Sequence, residues 1–197
     1  MTVASTDLQG LVLPAALAAI AFALYLAADV LRRDKGNRAM QDVAGMIFEG
    51  AVAFMRRQYL TIAVLALLMA ALIGALIAAF ETPAVADTSV NGLDLGIRTA
   101  VAFAFGAACS MASGIIGMYI SVKSNLRTAA AARKSLVDAV QVAMRGGAVS
   151  GFLVVALSLL GVWGIFTVYR LLMPEVTIDK APFVIVGFGF GASFVAL

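Results

Sequence analysis

The chain has 197 residues, 63% of them hydrophobic and 13% charged, with a mean hydropathy of +1.03 and a net charge of +3. Ordinary soluble domains carry about 45–50% apolar residues, so this composition excludes one. The 14 Lys and Arg set against 11 Asp and Glu do not form a nucleic-acid patch, because they sit in the short connections between apolar runs. With no His and one Cys (Cys109), a zinc or haem site and an intrachain disulfide are also excluded.

Four runs lack any Asp, Glu, Lys or Arg: Leu8–Ala28, Gln58–Phe80, Thr99–Val122 and Gly146–Tyr169, of 21, 23, 24 and 24 residues. About 20 apolar residues at ~1.5 Å each cross a ~30 Å hydrocarbon core. Barrel strands are shorter and alternate in polarity, so helices are the expected spans. The fold class is therefore an all-α, multi-span transmembrane bundle. Spans are expected at about 9–34, 42–80, 95–123, 138–171 and 182–197, within a single transmembrane domain over 1–197. The last run opens at Ala181 and stops at Leu197 without a polar flank. Four complete spans and the start of a fifth are expected, in a chain incomplete at its C-terminus.

The first run is no secretory signal, since Asp7 is the only charge before it and the run is long enough to span. Gly36 is read as a helix stop and Asn37 as the cap of the next helix. That helix begins near Arg38. Met40, Val43, Ala44, Ile47, Phe48, Ala51 and Met55 recur at spacings of three and four, with Asp42, Glu49 and Arg56 on another face. This reads as an amphipathic cytoplasmic extension of a span, with Gly45 and Gly50 as candidate bends; the alternative is a helix lying flat on the lipid. Residues 82–94 are turn-rich and polar, an external loop. The third helix starts near 95 and continues past Arg127. Ser135-Leu-Val-Asp138 has the form of a capping box opening the fourth. Pro174 and Pro182 bracket the next external loop.

Eleven of the 14 Lys and Arg fall in 32–57 and 123–145. This positive-inside signal places those segments in the cytoplasm and the N-terminus outside. Small residues recur every fourth position: Ala102, Gly106, Ser110, Gly114 and Cys109, Ser113, Gly117, Ser121 on the third helix; Ala139, Ala143, Gly147, Gly151 on the fourth. Such stripes let helix backbones approach closely in lipid. Glu49, Arg57 and Arg127 lie near the cytoplasmic ends. Glu49 is expected to form a buried ion pair with Arg127 or Arg133. No catalytic, cofactor or metal residue is assigned: the cytoplasmic acids Asp34, Asp42, Glu49 and Asp138 include no i,i+3 or i,i+4 pair, and Gly187-Phe-Gly189-Phe-Gly191 lacks the Lys-Ser/Thr of a phosphate loop.

Three stretches together resemble one family. EGAVAFMRRQYLTI (Glu49–Ile62), AFGAACSMASGIIGMYISVKSNLRTAAAAR (Ala104–Arg133) and GFGFGASFVAL (Gly187–Leu197) are similar to the N-terminal part of membrane-bound, ion-translocating inorganic pyrophosphatases. Met55 and Ile115 depart from the usual Leu and Tyr. The resemblance implies about sixteen helices in an inner and an outer ring, a homodimer, and Mg2+-dependent hydrolysis of cytoplasmic pyrophosphate coupled to export of protons or sodium ions. It places the first four helices in the outer ring and the substrate-holding Asp, Lys and Asn side chains in later helices, so the fragment alone is expected to be inactive. The expected partners are the lipid bilayer, the remaining helices and a second copy, with no nucleic acid, in a bacterial inner membrane. The alternative reading is a small five-helix transporter subunit or membrane assembly factor.

Overall fold

The computed structural model describes residues 3–80, 92–172 and 181–196. The helices are α1 (Val3–Arg32), α2 (Arg38–Ala79), α3 (Gly92–Ala132), α4 (Leu136–Leu172) and α5 (Ala181–Ala196), and the described residues contain no strand. Segments of α1 to α4 are long and apolar enough to cross a membrane: Gly10–Arg32, Arg38–Ala79, Gly92–Ala132 and Leu136–Leu171. The 42 residues of α2 are unbroken helix, about 63 Å at 1.5 Å per residue, twice the thickness of a hydrocarbon core. Neither Gly45 nor Gly50 interrupts it. Large apolar side chains such as Leu24, Leu60, Leu67 and Val101 stand exposed, as a lipid-facing surface requires. The chain is an integral, multi-pass membrane protein.

Contacts divide it into two compact units, and α1 to α4 each contribute a segment to both. The first unit comprises 1–13, 60–111 and 158–197. Its core joins Ala66 and Ala70 of α2 to Phe103 and Ala107 of α3, and Ala102 of α3 to Ile165 of α4 and Phe188 of α5. Glycines set how closely these helices approach. A Cβ on Gly106 would overlap the Phe188 carbonyl, and one on Gly191 would overlap that of Phe103. Lipid offers no hydrophobic drive between helices, so this backbone contact supplies the attraction through packing. Tyr169 donates its hydroxyl to the Arg98 carbonyl at 2.6 Å, and Arg98 pairs with Asp94 at 2.7 Å.

The second unit comprises 14–59 and 112–157. Ala23 and Leu26 of α1 pack with Ile120 of α3 and with Val149 and Leu153 of α4. Gly117 lies against Ser150, and Gly146 against Ser124, whose hydroxyl donates to the Val142 carbonyl at 3.4 Å. The α1–α2 turn follows its sequence signals. Gly36 takes a left-handed φ of 73°, which ends α1 without a Cβ clash, and Asn37 Oδ1 accepts from the Met40 amide at 2.9 Å to cap α2. Ser135 Oγ accepts from the Asp138 amide at 3.4 Å and opens α4. Of the loop expected at 82–94, residues 82–91 lie outside the described residues while Gly92, Leu93 and Asp94 open α3; Pro174 also lies outside them, and Pro182 falls in the first turn of α5.

Candidate functional site at the α1–α2 turn

Several charged side chains of the second unit gather where α1 ends. Asp29 and Arg33 lie one helical turn apart and pair at 3.0 Å; Arg145 of α4 reaches the same Asp29 oxygen at 2.8 Å. Asp34 accepts from the Gly36 amide at 2.9 Å and from Lys134 Nζ at 3.1 Å. The Gly36 amide, and then Lys134, hold the Asp34 carboxyl below its usual pKa of 3.8. Arg127 is only 4% exposed; its Nη1 donates to the Lys123 carbonyl at 2.7 Å and its Nη2 to the Leu31 carbonyl at 2.8 Å. Lys123 Nζ stands 4.0 Å from the centre of the Phe48 ring, a cation–π contact.

This arrangement can hold anions. It does not present a magnesium site, because Oδ2 of Asp29 and both oxygens of Asp34 already accept from cations and a backbone amide. Among the described residues no three His, Cys, Asp or Glu side chains converge on a point where a metal ion could sit.

The residues singled out in the sequence divide. Arg127 is buried, and its hydrogen-bond partners are carbonyls. Glu49 is exposed on α2 and forms no ion pair with Arg127 or Arg133, which corrects that expectation. The α2 segment carrying it packs through Met40, Ala44, Phe48, Ala51 and Met55 and turns Glu49 away, while Val43 and Ile47 of the expected seam are exposed. Arg57 is exposed on the same helix. On α3, Gly106 meets Phe188, Ser110 is half-buried, and Gly114 lies against the Tyr59 hydroxyl. Among the described residues nothing lies within 4 Å of a Cβ built on Gly147 or Gly151, so these two positions of the stripe make no close contact with them. The face of α4 buried among the described residues runs through Ala139, Val142, Gly146, Val149 and Leu153. No residue pattern signals the Arg127–Leu31 link, since a backbone carbonyl partner leaves no trace in residue type.

The family model described as inorganic H+ pyrophosphatase matches residues 17–197. The chain belongs to that family. It is 46% identical over 193 residues to a "K(+)-insensitive pyrophosphate-energized proton pump" of Caldanaerobacter subterraneus, covering 98% of this chain and 26% of the relative. It is 48% identical over 179 residues to "K(+)-insensitive pyrophosphate-energized proton pump 2" of Moorella thermoacetica, covering 91% and 23%. A Methanosarcina mazei protein with the same name as the first is 39% identical over 183 residues, covering 93% and 23%. The chain thus spans about a quarter of the length of these pyrophosphatase relatives. No solved structure gives a significant match.

Proposed function

We propose that the chain supplies the N-terminal, outer-ring helices of a membrane pump. The pump hydrolyses cytoplasmic magnesium pyrophosphate and exports protons without requiring potassium. The observation that carries this reading is the near-complete match of residues 17–197 to the family, with relatives at 46–48% identity that are named as potassium-insensitive proton pumps. Four membrane-long helices supply the scaffold such a pump needs. Pyrophosphate cleavage requires carboxylates holding metal ions, cations on the leaving phosphate and an activated water. On this reading the reaction site belongs to other helices of the same protein, in keeping with the quarter of the relatives' length that this chain spans. The working unit is a homodimer. The 11:3 distribution of Lys and Arg supports an N-terminus outside, with the α1–α2 and α3–α4 turns in the cytoplasm of a bacterial inner-membrane protein.

Magnesium-dependent phosphate release from pyrophosphate tests the assignment. The full-length reading frame, purified from membranes, should release phosphate, and residues 1–197 alone should not. Release by the short chain, abolished by Asp42→Asn or Glu49→Gln, would overturn the division of labour. Absence of release by the full-length protein would overturn the activity.

A further inference from the structure

The α1–α2 turn and the facing segments of α2 and α3 enclose a cavity of about 380 Å³, with Lys35, Phe48, Tyr119, Lys123 and Arg127 among its lining. Three of its lining side chains are cations and none is Asp or Glu. Arg127 is the decisive one. It is 96% buried, touches no carboxylate, and its Nε has no hydrogen-bond partner. Buried charges are otherwise paired, because desolvation without compensation is costly.

A simpler role exists for this residue: it caps the carbonyl end of α1 through Leu31. That accounts for Nη2, and the Lys123 carbonyl one turn back on α3 takes Nη1. These contacts leave the Nε and the net charge unanswered, and they say nothing of why Lys35 and Lys123 line the same acid-free cavity. The neighbouring cavity of about 260 Å³, which Arg127 also lines, differs in kind. Asp34 and Asp138 line it, and Asp34 is already held by Lys134. Compensation for Arg127 is therefore sought on the side of the three cations.

We propose that the 380 Å³ cavity binds a phosphate group, through Arg127, Lys123 and Lys35. Guanidinium and ammonium donors make short, charge-assisted bonds to phosphate oxygens, and the volume holds such a group together with several waters at ~30 Å³ each. Two sources share that chemistry: free inorganic phosphate and the headgroup of an anionic phospholipid. The site does not depend on the pump reading.

The test compares the full-length protein with its Lys35→Gln/Lys123→Gln variant, which leaves the α1-capping Arg127 in place. Both are embedded in phosphatidylcholine nanodiscs, and the thermal midpoint is followed against inorganic phosphate. A second series without phosphate replaces phosphatidylcholine stepwise with phosphatidylglycerol. A midpoint that rises in the first series assigns free phosphate; one that rises only in the second assigns the lipid headgroup. In either case the variant should need about tenfold more ligand for half the effect. Phosphate bound at a hydrolytic site shifts both proteins alike and drops out of the comparison. Identical responses of wild type and variant overturn the proposal. An equal weakening by Arg38→Gln/Arg133→Gln, which removes two exposed cations outside the cavity, does so too, since it would mean general surface charge.

Discussion

Arg145 of α4 donates to Oδ2 of Asp29 of α1 at 2.8 Å across 116 positions of sequence, and Arg33 shares the same oxygen at 3.0 Å. One carboxylate thus ties the end of α1 to α4 while holding a cation of its own helix. Asp29→Asn should lower the thermal midpoint by removing the negative charge that both arginines pair with. Arg145→Gln should lower it alone but add little in the Asp29→Asn background. Thermal midpoints of the two single variants and the double variant measure the coupling. Fully additive losses would mean that the contact does not link the helices.

Gly106 should be far less tolerant than Gly147. A Cβ at Gly106 overlaps the Phe188 backbone carbonyl, so Gly106→Ala must push α3 and α5 apart, at ~1–3 kcal/mol for overpacking. Gly147 has open space around its would-be Cβ, and Gly147→Ala should leave yield and midpoint unchanged or slightly raised. Detergent melting curves of the two variants, read side by side, check the difference.

The contrast between these glycines explains what the sequence can carry. Spacing of four on a helix of 3.6 residues per turn drifts ~40° per step, so a stripe from Ala139 to Gly151 rotates ~120°. Ala139 begins on the contact face and Gly151 has left it. The same drift did not mislead on α3, because that helix has neighbours on several sides: Gly106 faces α5, Gly114 α2 and Gly117 α4. The existence of four long apolar helices was legible because charge-free runs of that length mark them, though α1 to α4 all extend beyond those runs, and Gly36 and Asn37 were legible because their chemistry is local. Glu49 was misplaced because amphipathic spacing shows that a helix has a polar face, not what covers it. The Arg127–Leu31 and Tyr169–Arg98 contacts end on carbonyls, which every residue has.

Gly36→Ala should destabilise the α1–α2 turn by about 1–2 kcal/mol, because its φ of 73° is strained for any residue with a Cβ. The added carbon would also meet Met40 Sδ at 2.7 Å. Asn37→Ala should cost ~1 kcal/mol through loss of the cap on the Met40 amide. Thermal unfolding of both variants measures this, and limited proteolysis should cut the turn faster in each.

Stability should fall on acidification in a way that Asp34 helps to set. Its folded pKa lies below the ordinary 3.8, so between those values the unfolded chain binds a proton that the folded chain does not. The contribution is present above about pH 4 and is lost as pH falls through the folded value. Both Asp34 and Lys134 are exposed, so the effect is small and weakens with salt. Midpoints from pH 6 to pH 3 should decline less steeply for Asp34→Asn than for wild type at low ionic strength.

Proton transport tests the central claim most directly. Inverted membrane vesicles carrying the full-length protein, in potassium-free buffer, should acidify their lumen when magnesium pyrophosphate is added outside, as read by a pH-sensitive dye. A protonophore should collapse the signal. Pyrophosphate hydrolysis without acidification, or transport that appears only with sodium or potassium present, would contradict the account.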